Sequence, residues 1–146
     1  MSSVNGCNIP AELYYVVEKH VWAKPDGDVV LVGLTDVAQN MAKTVISVSL
    51  KGEGKPIKRG KSVATVESGK WVGPVPSPVE GEIAEVNNEL AKNPGLVNED
   101  PYGSGWIAKV RPVDWDADRS LLVTGDEGVE KYREFLDAEG ISCASE

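Results

Sequence analysis

The chain has 146 residues, 41% of them hydrophobic, which is one domain's worth of sequence with enough apolar content for a core. Lys and Arg total 15 against 23 Asp and Glu, and the resulting net charge of −8 argues against nucleic acid and anionic membranes as partners. No apolar run approaches bilayer-spanning length, and Met1 to Pro10 are polar, with no hydrophobic signal core before Gly6-Cys7, so a cytoplasmic location is expected.

In chain order, residues 13–17 and 21–24 read as short strands around Glu18-Lys19-His20, with Pro25-Asp26-Gly27 as a turn. Val29-Val30-Leu31-Val32 is a continuous apolar run bounded by turn residues, the pattern of a strand buried on both faces. Asp36 with Gln39 three residues later matches a helix-starting box and predicts a short helix over residues 36–42. Ile46-Ser47-Val48-Ser49-Leu50 alternates with period two and predicts a half-buried strand.

The glycine-punctuated loop over residues 51–56 leads into Ser62-Val63-Ala64-Thr65-Val66-Glu67, a β-branched, alternating strand. Downstream, Pro74, Pro76 and Pro78 recur at every second position. Prolines lack amide donors, so this arm should run along a sheet margin. Ser68-Gly69 is the expected turn between the arms, with glycine accepting positive φ, and Lys70 then stands at a loop tip. A lysine so presented is either a solvated charge or the attachment point of a swinging arm.

Further on, Gly81-Glu82-Ile83-Ala84-Glu85-Val86 echoes Gly27-Asp28-Val29-Val30-Leu31-Val32, a weak sign of two quasi-equivalent halves. Residues 88–92 predict a brief helical turn stopped by Pro94-Gly95. Asp100-Pro101-Tyr102-Gly103 has the residues of a type I turn. Residues 105–110 predict a strand with Trp106 as a core anchor. Residues 127–138 predict a helix with Val129, Tyr132, Phe135 and Leu136 on one face, stopped at Gly140. The sum is mainly β with helical additions.

Cys7 and Cys143 are too few for a disulfide framework or a metal site. They read as reduced thiols on frayed ends; the alternatives are a redox pair or thiols that exchange with a dithiol cofactor. A thiol enzyme lacks the neighbouring His or helix N-terminus that would activate either cysteine.

Four runs carry a family resemblance: Ile9-Pro10-Ala11-Glu12-Leu13, Gly33-Leu34-Thr35-Asp36-Val37-Ala38-Gln39, Val66-Glu67-Ser68 followed by Lys70, and Leu96-Val97-Asn98-Glu99-Asp100-Pro101-Tyr102-Gly103 with Gly105-Trp106. The chain resembles the glycine cleavage system H proteins over nearly its whole length. The resemblance implies a barrel-sandwich hybrid of the lipoyl and biotinyl carrier type: a single domain over 1–146, with a core over about 11–112 and a C-terminal helical extension over about 113–140. It implies a carrier rather than an enzyme, with lipoate covalently attached to Lys70 by a lipoate ligase or lipoyl transferase. Acylation removes the lysine's charge and adds a dithiolane that accepts electrons or a sulfur-bound fragment.

Glu67, Gly69, Trp71 and His20 are the further candidates for cofactor contact. Glu67 is either an acid that the attaching enzyme reads or a solubilising charge. Trp71 is a platform for the arm or a partner, or packs on the domain's own edge. His20 is read as structural, in the region where the family shelters its loaded arm. H proteins usually have Val before the lysine and small residues after it, where this chain has Gly69 and Trp71. They carry His-Glu-Trp where this chain has His20-Val21-Trp22, which removes an acid suited to an aminomethyl cation.

These departures resemble the lipoate-binding proteins of bacterial sulfur oxidation. That resemblance implies a sulfur cargo and a heterodisulfide-reductase-like complex as partner. The alternative is an aminomethyl carrier serving glycine decarboxylase and aminomethyltransferase; under either reading dihydrolipoamide dehydrogenase is a further expected partner. A biotinyl carrier would usually flank the lysine with Met, and an unmodified interaction module would take no adduct at Lys70.

Overall fold

The computed structural model describes residues 3–143. In chain order the elements are β1 (Ser3–Val4), β2 (Cys7–Asn8), β3 (Tyr14–Val16), a 3-10 turn (Val17–Lys19), β4 (Val21–Asp26), β5 (Val29–Leu34), α1 (Asp36–Ala42), β6 (Val45–Leu50), β7 (Pro56–Ile57), β8 (Ser62–Ser68) and β9 (Val72–Pro76). There follow β10 (Gly81–Val86), α2 (Glu89–Lys92), α3 (Leu96–Glu99), β11 (Ala108–Pro112), α4 (Trp115–Arg119), β12 (Val123–Thr124) and α5 (Gly125–Glu139).

The strands form a seven-stranded sheet ordered β12-β3-β4-β5-β11-β10-β7, a three-stranded sheet ordered β6-β8-β9 and the small β1-β2 hairpin. Alternating side chains from the two larger sheets meet in one core: Val21, Val32, Ile83 and Val110 from one, Val48, Val63, Val66 and Val75 from the other. Two sheets share a core and neither closes on itself, so the expected barrel-sandwich architecture is the one found. The echoing segments at residues 27–32 and 81–86 also acquire a meaning, because β5 and β10 flank β11 on its two sides. Pro74 and Pro76 lie on β9, an edge strand, as their missing donors require.

The large sheet is covered on its other face as well. Along β4, Val21 points into the shared core while the adjacent Trp22 points into a second cluster with Val4, Ile9, Tyr15, Val37, Tyr132 and Leu136. The period-two alternation of a strand sends neighbours to opposite faces, so a strand with two covered faces reads as continuously apolar. Trp22 is fully buried, and its indole Nε1 donates to the carbonyls of Leu34 and Pro101, both at 3.0 Å. It is the aromatic anchor the sequence reading assigned to Trp106. Trp106 is only half-buried, with the Lys109 ammonium 5.1 Å from its ring centroid.

Other expectations shift by a residue or two. The helix box is displaced: Thr35, not Asp36, caps α1, its Oγ1 accepting from the Ala38 amide at 3.3 Å. Asp36 is thereby free to accept from the Asn8 amide at 2.8 Å and from Gln39 Nε2 at 2.6 Å. β4 continues through Pro25 because β3 reaches no further than Ala23, so Pro25 has no second neighbour requiring a donor. β11 starts at Ala108 rather than 105, since the turn begun at Asp100 continues through Gly105 and Trp106.

The cysteines are the main correction. Cys7 and Cys143 form a disulfide across a sequence separation of 136, and among the described residues no cysteine is free. The reading as reduced thiols fails because the ends are not frayed. The Cys143 amide donates to the Asn5 carbonyl at 3.0 Å, and Asn5 Nδ2 donates to Asp137 of α5 at 3.0 Å. Gly6 allows this approach: a Cβ there would lie 2.8 Å from the Cys143 carbonyl oxygen.

Candidate functional site at the hairpin tip

Lys70 stands at the tip of the β8-β9 hairpin, exposed, as expected. The reason given for the turn needs correcting. Gly69 does not have positive φ, and a Cβ on it would meet open space. The buried side chain of Ser68 shapes the tip instead. Its Oγ accepts from the amides of Lys70 at 3.2 Å and Trp71 at 3.1 Å, while its own amide donates to the Trp71 carbonyl at 2.7 Å. Such local side-chain to backbone bonds make Ser a turn former. Gly69→Ala should therefore keep stability or raise it by up to about 1 kcal/mol, through a less flexible unfolded chain. Urea denaturation measures this, and a clear loss would mean the tip does need glycine.

Trp71 meets the reading in which it packs on the domain's own edge. Its ring lies against Gly73, where a Cβ would come within 2.3 Å of the indole, so it packs on its own hairpin's edge. It is also 41% exposed and lines a cleft of about 520 Å³ beside Lys70. The rest of the lining comes from three places. Glu18, Lys19 and His20 are supplied by the 3-10 turn and the residue after it; Leu34, Ala38, Met41 and Ala42 by the end of β5 and by α1; Gly60, Pro74 and Pro76 by the margin of the small sheet. An apolar concavity with a few polar groups is the usual form of a small-ligand site. The apolar wall beside an exposed lysine could receive a flexible acyl chain tethered there.

His20 has left-handed backbone angles, φ 58° and ψ 43°, and its amide closes the 3-10 turn on the Val17 carbonyl at 3.1 Å. Its ring packs parallel to Tyr132 and edge-on to Phe135, both from α5. Nδ1 lies 2.8 Å from Tyr132 Oη, which lies 3.1 Å from Thr35 Oγ1. Burial pushes the imidazolium down to about 4, so the ring is neutral at physiological pH, and burial likewise pushes the Tyr132 hydroxyl up. His20 is thus both a packed residue and a wall of the cleft.

Glu67 is exposed on β8, opposite Ser47 and Val72, and does not line the cleft. Glu18 does. Sequence reasoning noted the absent acid at Val21 and overlooked this carboxylate two residues before His20. The signal available was its place in the turn that presents the histidine. Ser68 was placed in the turn, but the turn was credited to Gly69, although the bonds Ser68 makes are local ones to residues 70 and 71. Tyr132 was read only as part of an apolar helix face, because its contact with His20 is one that the fold alone creates.

A family model described as glycine cleavage H-protein matches residues 13–137. The chain is 49% identical over 142 residues to glycine cleavage system H protein 2 of Aquifex aeolicus, covering 97% of this chain and 88% of the relative. It is 49% identical over 146 residues to the probable glycine cleavage system H protein 2 of Sulfurisphaera tokodaii, covering 98% of each. Among solved structures, a glycine cleavage system H protein from Mycobacterium marinum superposes with a TM-score of 0.72 at 30% identity, covering 91% of this chain and all of that one. On the matched span, the shared identity and the common architecture, this chain belongs to the glycine cleavage H-protein family.

Proposed function

We propose that residues 1–146 form one carrier domain that bears lipoate on Lys70 and works as a substrate of other enzymes rather than as an enzyme itself. The observation that carries this is the exposed Lys70 at a hairpin tip, lining a largely apolar cleft. Bound there, lipoate would supply a dithiolane that opens on reduction or on attack by a nucleophile. The protein's part is to hold the attachment point still, so that a ligase or partner need not order the hairpin at each encounter.

For the cargo, we take the aminomethyl group of glycine cleavage, exchanged with glycine decarboxylase and aminomethyltransferase and followed by reoxidation at dihydrolipoamide dehydrogenase. Family membership supports this, and so does Glu18, which supplies a carboxylate on the cleft wall where the sequence around Val21 suggested none. A sulfur cargo with a heterodisulfide-reductase-like partner is the second reading; it rests on Gly69 and on the Trp71 ring seated against Gly73. The lipoylated protein should support glycine-dependent release of carbon dioxide by glycine decarboxylase. Failure there, together with turnover of the arm by a heterodisulfide-reductase-like complex, would transfer the assignment to sulfur.

A cytoplasmic location goes with either reading. Among the described residues no helix is long and apolar enough to cross a membrane. Cys7 is fully buried and Cys143 nearly so, which withholds their disulfide from exchange with small thiols.

A further inference from the structure

A hydrogen-bonded relay joins α1, α5 and the cleft: Ala38 amide to Thr35 Oγ1 (3.3 Å), Thr35 Oγ1 to Tyr132 Oη (3.1 Å), Tyr132 Oη to His20 Nδ1 (2.8 Å). Thr35 and Tyr132 are both fully buried, so each hydroxyl hydrogen needs an acceptor. The relay can run in two directions. If His20 Nδ1–H donated to Tyr132, then Tyr132 would donate to Thr35. The Thr35 hydroxyl hydrogen would then have no acceptor among the described residues and would carry the full desolvation cost of a buried donor. If Thr35 donates to Tyr132 and Tyr132 donates to Nδ1, every hydrogen is placed. The second direction puts the ring proton on Nε2.

Nε2 has no hydrogen-bond partner among the described residues, where no buried side-chain nitrogen or oxygen lacks one. It therefore reaches solvent, and the cleft is what His20 lines. The acylated lysine of the carrier reading brings one strong acceptor, the new amide oxygen; the dithiolane sulfurs accept only weakly. We propose that Tyr132, steered by Thr35, is a positioning residue that fixes His20 as the Nε2–H tautomer, so that the cleft offers a neutral donor to the amide carbonyl formed when Lys70 is acylated. The depressed imidazolium is consistent with this, because a charged ring would donate from both nitrogens and reverse the relay. Glu18, on the same wall, is left for a cationic cargo.

The donor role rests on the carrier reading, whereas the tautomer does not, and the tests separate them. Nitrogen-15 NMR of the unmodified protein at neutral pH should find Nδ1 unprotonated and Nε2 protonated. A proton on Nδ1 would overturn the inference and leave the carrier reading untouched. After enzymatic lipoylation, confirmed by mass, the His20 Nε2–H resonance should move; an unchanged resonance would overturn the donor role. Tyr132→Phe keeps the ring and removes the relay. Its lipoylated form should have the dithiolane reduced by a small phosphine about two- to tenfold faster than the parent, the worth of one hydrogen bond, followed by the dithiolane's own near-ultraviolet absorbance. Equal rates would contradict the proposal. The NMR measurements need no variant, so they decide even if Tyr132→Phe folds poorly. No lipoyl adduct at all would bring down the carrier reading and the donor role together.

Discussion

Lys70→Arg should abolish lipoyl attachment outright while leaving the fold as it is. The side chain at 70 is exposed and makes no ion pair or side-chain hydrogen bond among the described residues, so its exchange should alter stability by no more than about 0.5 kcal/mol. Arginine keeps the charge and much of the length. Its guanidinium does not deprotonate in proteins, however, and its lone pairs are delocalised, so it offers no amine to acylate. Incubation with a lipoate ligase, ATP and lipoate, read by intact mass, should give one adduct on the parent and none on the variant. An adduct that persists in the variant would move the site elsewhere. Lys58 and Lys61, in the turn that precedes β8, would be the first places to look.

The second large effect concerns the ends of the chain. Replacing Cys7 and Cys143 together by Ser should lower stability by about 2–4 kcal/mol. Loop-closure entropy alone, for a separation of 136 residues, sets a ceiling of about 5 kcal/mol. The observed figure should fall below that ceiling, because much of the terminal order has other support. The Asn8 amide is held by Asp36, the Tyr102 hydroxyl donates to the Asn8 carbonyl, and Val4 and Ile9 are buried beneath α5 and its neighbours. The measurement is a shift in the denaturation midpoint at constant slope. Lipoylation by the ligase should be unaffected, since neither cysteine lines the cleft. A midpoint that does not move would mean that the bond contributes nothing in solution. A variant that folds but takes up no lipoate would tie the termini to the site, contrary to the geometry.

The chain-order reading succeeded wherever the determining interaction lay within a few residues. The β8 strand, the proline-marked edge of β9, the Asp100-Gly103 turn and the apolar face of α5 are local patterns, and each became the expected element. β6 formed as expected, but its alternation did not hold throughout: an irregularity in its pairing with β8 between Val45 and Ser47 buries Val45 and leaves Ile46 56% exposed. The tip of the hairpin was legible for the same reason, although the residue credited with it was Gly69 and the bonds belong to Ser68. One-residue errors, such as Asp36 for Thr35 as helix cap, arise because two neighbouring residues had suitable oxygens. The choice between them was made by Asn8, distant in sequence, which claimed the aspartate.

By itself, then, the sequence determined a mainly β chain with a lysine at the tip of a hairpin, since strand period, turn chemistry and the proline edge are written in adjacent residues; the carrier fold came from the family resemblance. The tertiary structure alone decided that the two cysteines pair, that Trp22 rather than Trp106 anchors the second core, and that Glu18, His20 and Trp71 share a cleft with Lys70. It also decided that Tyr132, 112 residues further along, brings its hydroxyl to 2.8 Å from the histidine's Nδ1. Those outcomes follow from burying both faces of the large sheet at once, and which distant groups meet under that constraint has no signature in local spacing.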